Sequence, residues 1–259
     1  MTRIHSLSSA ATALVITCEH GGNRVPQPYR EFFDNCGPLL KSHRGFDPGA
    51  LVMARALARH FDAPLLFSTV SRLVVDLNRS IGHRNLHMEA IRRLPAAIRQ
   101  EIIERYYQPY RTQAEHLVAQ GIARRGRVIH LSCHSFTNNL DGLVRDADIG
   151  LLYDPARQGE RALCANWKSV LKVSAPDRVV RRNFPYEGRN DGLTSALRRT
   201  FPSEVYLGIE LELNQKHLLL PTRQWTDLRE SVISSLQTVL SGTMTAQRTN
   251  HQHSAGSAL

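Results

Sequence analysis

Ala13-Leu14-Val15-Ile16-Thr17-Cys18-Glu19-His20-Gly21-Gly22 stands near the amino terminus of a 259-residue chain. An apolar, β-rich run leads straight into a polar cluster and a glycine pair. The run has the composition of a buried strand, and the polar residues fall where that strand should end. The pattern recurs. Ser132-Cys133-His134-Ser135 follows Val128-Ile129-His130-Leu131, and Glu210 and Glu212 alternate with Leu211 and Leu213 in a run spanning 204–213. Further short β-like runs occupy 64–70, 73–77, 149–153 and 179–182. Between them, residues 48–61 place Leu51, Val52, Ala54, Leu57 and Ala58 at helical spacing. Residues 95–123 read as one long helix that Pro109 should kink. Helices are also expected over 158–173, 194–200 and 221–240. Strands alternating with helices predict an α/β fold: a single domain with a mixed, mostly parallel sheet flanked by helices on both faces.

Open α/β sheets hold their chemistry beyond the carboxyl ends of the strands. Two histidines and a carboxylate at such a place are what a single catalytic metal ion requires. His20 precedes two glycines that permit a tight turn and a close approach. Glu19, next to it, should point the other way. Asn23 follows His20 at the spacing of an HxxE zinc pair, but an amide is a poor zinc ligand. His130 and His134 share a strand face about 13 Å apart, so they cannot share a metal; His134 sits at the strand end and His130 reads as structural. A carboxylate facing a core is costly unless paired or metal-bound, and Glu212 lies nearer the strand end than Glu210. Asp47 stands open between two readings, a helix N-cap before Pro48 and a metal ligand. Arg72, Asn78 and Arg79 offer donors for a carboxylate or an oxyanion, with Asp76 expected to pair with an arginine. Arg145, Arg182, Asn183 and Tyr186 lie in polar loops that suit substrate binding. Ser135 is placed to orient a ligand, and Asp191 to cap the 194–200 helix.

Bulk properties narrow the classes. Hydrophobic content of 42% and charged content of 22% are ordinary for a globular protein. No apolar stretch has the length of a membrane span, and residues 1–11 lack the apolar core of a secretory signal. Cys18, Cys36, Cys133 and Cys164 form no CxxC pair, so reduced thiols and a cytoplasmic location are expected. The net charge of +10 comes mostly from scattered arginines. Without a basic arm or an aromatic-interleaved motif, that charge suits a small anionic substrate better than nucleic acid. From Ser241 the chain loses hydrophobic pattern; a catalytic domain over 1–242 and a disordered tail over 243–259 are expected.

Taken in order, Cys18-Glu19-His20-Gly21-Gly22, Phe46-Asp47-Pro48-Gly49-Ala50, Ser71-Arg72 through Asp76-Leu77-Asn78-Arg79, His134-Ser135-Phe136-Thr137 and Gly208-Ile209-Glu210-Leu211-Glu212 resemble N-formylglutamate amidohydrolases. The resemblance covers roughly residues 13 to 220. It implies a fold similar to zinc-dependent exopeptidases and the release of formate from N-formyl-L-glutamate, a late step in histidine breakdown. It also implies that His20 and His134 bind one Zn²⁺ and that Glu212 is the general base; the third ligand does not follow from it, since Asn23 stands where HxxE has its carboxylate, and Asp47 is the candidate for that place. Arg72 first, and Arg79 second, would then face the oxyanion, while Arg145 or Arg182 grips a substrate carboxylate. A hydrolase acting on another N-acyl amino acid or peptide is the alternative. A metal-independent amidase using Ser135 or Cys133, and a nucleic-acid-binding protein, rank below both.

Overall fold

A computed structural model describes residues 12–218 and 222–254. In chain order its elements are β1 (Ala13–Cys18), α1 (Gly37–Lys41), α2 (Ala50–Phe61), β2 (Leu65–Phe67), α3 (Glu89–Arg92), α4 (Ala96–Ile102), α5 (Gln108–Arg125), β3 (Val128–Phe136), the hairpin β4 (Asn139–Leu140) and β5 (Leu143–Val144), β6 (Ile149–Leu152), α6 (Gln158–Ser174), β7 (Val180–Arg182), α7 (Leu193–Thr200), β8 (Tyr206–Asn214) and α8 (Thr222–Ser254). Six strands form one sheet in the order β2-β1-β3-β8-β6-β7. The first four are parallel; β6 runs antiparallel to β8, and β7 runs parallel to β6. The mixed, mostly parallel α/β sheet expected from the strand–helix alternation is therefore present.

The chain leaves β1 toward β2 on one side and returns to β3 on the other. That reversal opens a crevice at the carboxyl ends of β1 and β3. Strand pleat sorts the side chains to two faces. Ile129, Leu131 and Cys133 of β3 join the core built with α2, α6 and α8, which includes Met53, Leu57, Trp167, Leu228 and Val232. Val128 joins the opposite core, which holds Tyr110, Val118 and Leu197. The intervening residues His130, Ser132 and His134 are buried, and the strand register sets them beside Gly208, Glu210 and Glu212 of β8. The middle of the sheet thus carries a polar track toward the crevice. His130 is its inner end, 2.8 Å from both Thr17 Oγ1 and the Tyr206 hydroxyl, a structural role as its mid-strand position predicts.

Three local expectations are revised. Residues 73–77 do not form a strand. Val74, Val75 and Leu77 are buried in a turn-rich segment, tied back by Asp76 N to Leu86 O (2.8 Å) and Met88 N to Leu73 O (3.0 Å). An apolar run signals burial, and without a neighbouring edge it forms no ladder. The kink expected at Pro109 takes the form of a π-helical stretch, Ile103–Tyr107, between α4 and α5; the wider turn absorbs the missing proline N–H. Asp191 does not cap α7: it accepts bonds from the Ser80 amide and hydroxyl, while Asn78 Oδ1 accepts the Leu193 amide at 2.6 Å. Helix α8 runs to Ser254. Residues 255–259 lie outside those described. No helix among the described residues is long and apolar enough to cross a membrane.

Candidate active site

β1 ends against the segment after β2, and the glycine pair makes that approach possible. Gly21 N donates to Ser68 O at 3.0 Å, and a Cβ on Gly21 would lie 2.9 Å from the same oxygen. His20 is thereby held at the mouth of the sheet, with its carbonyl accepting the Asp47 amide at 2.9 Å. Asp47 lies in the chain leading to α2. Its side chain does not cap that helix, whose N-cap residue is Gly49. The carboxylate turns inward, and Oδ2 lies 3.4 Å from His20 Nδ1 and 2.8 Å from His134 Nδ1. His134 comes from the end of β3, and its ring centroid is 5.2 Å from that of His20. Of the two readings of Asp47, the structure favours membership of the cluster.

The outer ring nitrogens are also held. His20 Nε2 lies 2.7 Å from Asp76 Oδ1. His134 Nε2 lies 3.1 Å from Glu19 Oε2 and 2.9 Å from Ser132 Oγ. Tyr110 donates to the other Glu19 oxygen at 2.9 Å. Arg72 spans the cluster, giving Nη1 to Asp47 Oδ1 and Nη2 to Asp76 Oδ2, each at 3.0 Å. Burial alone would drive these carboxyls toward the neutral form. The opposing charges win: His134 holds Glu19 low, His20 and Arg72 hold Asp47 low, and Arg72 and His20 hold Asp76 low. Glu212 differs. Burial pushes its carboxyl up to about 7, with Asp47 and Glu210 adding to the shift against the pull of His134. Its Oε2 is buried with no hydrogen-bond partner among the described residues.

These residues fit a metal ion. Donor atoms of His20, Asp47 and His134 all lie within 4.8 Å of one another, the one such group among the described residues. Tetrahedral zinc with bonds near 2.0–2.1 Å would set its donors about 3.3 Å apart, so modest closure suffices. Each imidazole turns one nitrogen inward and fastens the other to a carboxylate, which fixes ring orientation and tautomer as metal sites require.

The cluster opens into a cleft of about 630 Å³ that Arg72, Asn78, Arg79, Ser135, Tyr186 and Glu212 help to line. Arg145 stands behind that wall, donating to the Tyr186 hydroxyl at 3.2 Å. Arg182 and Asn183 are not brought to this cleft: they line a separate surface hollow with Lys168 and Phe184. Asn183 Oδ1 is occupied by the amides of Tyr153 and Gly188, so it shapes the loop. Arg72 commits Nε and Nη2 to Asp76 and Nη1 to Asp47. Asn23 gives its amide to Leu40 O, away from the cluster. Ser135 bonds to Pro48 O and Gln215, with no histidine partner among the described residues, and burial pushes the Cys133 thiol up; neither is poised as a nucleophile. Sequence reasoning missed two supports. Glu19 reaches His134 from the turn that follows β1, and Asp76 reaches His20 from a segment read as a strand.

Comparison with known proteins fits this geometry. No curated protein sequence matches the chain. A solved gene product from Agrobacterium tumefaciens is similar over 91% of this chain and 93% of its own, with 26% identity and a TM-score of 0.74. A solved N-formylglutamate amidohydrolase from Ralstonia eutropha shares the fold over 88% of this chain and 93% of its own, with 20% identity and a TM-score of 0.65. Residues 12–219 match the sequence profile of N-formylglutamate amidohydrolases. That match spans most of the chain and contains every residue of the cluster, so the chain belongs to the N-formylglutamate amidohydrolase family.

Proposed function

We propose that this protein hydrolyses N-formyl-L-glutamate to formate and L-glutamate with the aid of one divalent metal ion, zinc by the character of its donors. The family sets the reaction class, hydrolysis of a linear amide C–N bond. The observation that carries the finer reading is Glu212 Oε2, buried and unpartnered beside His20, Asp47 and His134. A buried carboxylate oxygen without a donor is costly, and a substrate or its attacking water would relieve that cost.

His20, Asp47 and His134 would hold the cation, which supplies Lewis-acid polarisation of the acyl carbonyl and acidifies a water when bound. Glu212 takes the proton of the attacking water and returns it to the leaving amine. Asp76, Glu19 and Ser132 keep the two imidazoles oriented, and Arg72 ties Asp47 to Asp76. Arg79 lines the cleft with one arm on Asp191 O at 2.7 Å, and it is the cation best placed to offset charge developing on the carbonyl oxygen. A cleft of about 630 Å³ lies in the range that accepts drug-sized ligands. That size favours, as a second reading, hydrolysis of larger N-acyl amino acids or peptides by the same groups.

The test is formate release from N-formyl-L-glutamate by the purified protein, before and after chelation. Release that chelator abolishes and Zn²⁺ restores is expected. Absence of release, or release indifferent to chelator, overturns the reading.

A further inference from the structure

The cleft holds more arginines than the cluster uses, and their partners sort them. Arg72 is bound to Asp47 and Asp76. Arg79 donates to the Asp191 carbonyl, and Arg92 is paired with Glu89 at 2.7 Å. Arg44 also lines the cleft, is exposed, and has no acidic partner among the described residues. Tyr186, half exposed, also lines the cleft. Arg145 stacks its guanidinium 5.1 Å from the Tyr186 ring and donates to the phenol oxygen. The phenol oxygen therefore acts as acceptor toward Arg145, and its own proton remains free to donate outward. His43, which also lines the cleft, feels Arg44, Arg145 and Arg72 together, so the charges of Arg44 and Arg145 both reach this part of the cleft; burial first, and then these arginines, hold its imidazole below the usual value.

Resting on the amidohydrolase reading above, we infer that Arg44 and the Arg145-braced hydroxyl of Tyr186 form a carboxylate clamp at the outer rim of the cleft, selecting N-acyl amino acids with an acidic side chain. The geometry divides the labour. The inner cluster handles the scissile amide, and the rim takes the carboxylate at the far end of the side chain. Arginine offers a planar fork that a carboxylate can meet with two bonds, and the phenol adds a third donor. An uncharged amide of the same shape presents an NH₂ to donors and leaves them unsatisfied, so it should be rejected. Arg44 carries no role in the cluster, so its removal should leave the chemical step alone.

The holoenzyme is assayed with N-formyl-L-glutamate and N-formyl-L-glutamine. Wild type should favour the glutamate substrate. Arg44→Ala should raise KM for that substrate by about 10-fold or more with kcat nearly unchanged. It should change KM for the glutamine substrate little, and Arg44→Lys should recover part of the preference. Calorimetric titration of the product, L-glutamate, should show the same loss of affinity in Arg44→Ala independently of turnover. Tyr186→Phe, which keeps the ring under Arg145, should show a smaller loss of the same kind. If wild type turns over neither substrate, the amidohydrolase reading itself fails. If it turns over N-formyl-L-glutamate while Arg44→Ala keeps the wild-type preference and the wild-type affinity for glutamate, the clamp is overturned.

Discussion

At the scale of single residues, the site is a problem in charge placement. Asp47, Asp76 and Glu19 are buried, yet each stays ionised because an imidazole or guanidinium lies within about 3 Å. Glu212 has no such partner at Oε2, and burial brings it to about 7, where a carboxyl can both accept and return a proton. Glu212→Gln keeps shape and removes the proposed base; turnover should fall by about 10²–10⁴-fold while metal content by elemental analysis stays at the wild-type level. Turnover within a few fold of wild type would remove Glu212 from the proton-transfer role. The sequence made His20, His134 and Glu212 legible because each sits at or near a strand end. Glu19 and Asp76 were not legible as supports, since their partners lie on other elements and only the register brings them together. Arg182 and Asn183 shared the polar character of site residues, and nothing in a linear chain says on which side of a loop a side chain emerges.

At the scale of elements, strand register does the positioning. His134 on β3 pairs with Glu212 on β8, and Glu212 pairs with Gly150 on the antiparallel neighbour β6. Gly150 is needed there: an added Cβ would collide with Phe184 O and lie 3.1 Å from the Glu212 Cβ. Gly150→Ala should therefore destabilise the fold by about 1–3 kcal/mol through overpacking and lower kcat at least several fold by displacing Glu212. Thermal melting and steady-state kinetics on one preparation check both, and an unperturbed variant would show that β6 does not set the Glu212 position. The long periodic helices and the hydrophobic strands were legible from period alone. The segment over 73–77 was not, because buried apolar residues satisfy the same pattern in a turn. The cap of α7 was not either, because Asn78 supplies it from more than a hundred positions away.

At the scale of the whole molecule, folding has gathered ionisable groups into an interior that acid should open. His130 is fully buried, and burial, with Arg198 adding to it against the pull of Glu19, lowers its imidazole to about 4. Its folded value lies below the unfolded value near 6.5, so its contribution to stability is complete above about 6.5 and is lost as pH falls through 4. That contribution is at most about 3 kcal/mol. Denaturant unfolding between pH 7 and 4 should show a shallower decline for His130→Gln than for wild type; parallel curves would contradict this. The fold class was legible because strand–helix alternation is a property of the whole chain. The site was legible only as candidates, since it depends on the end of β1, the chain before α2 and the end of β3 meeting at one point. The direct measure of that meeting is zinc bound per chain in wild type and in His134→Ala, by elemental analysis after equilibration with excess metal and desalting. One ion per chain in wild type and markedly less in the variant is expected; no bound metal in wild type, or equal amounts in both, would contradict a site built from His20, Asp47 and His134.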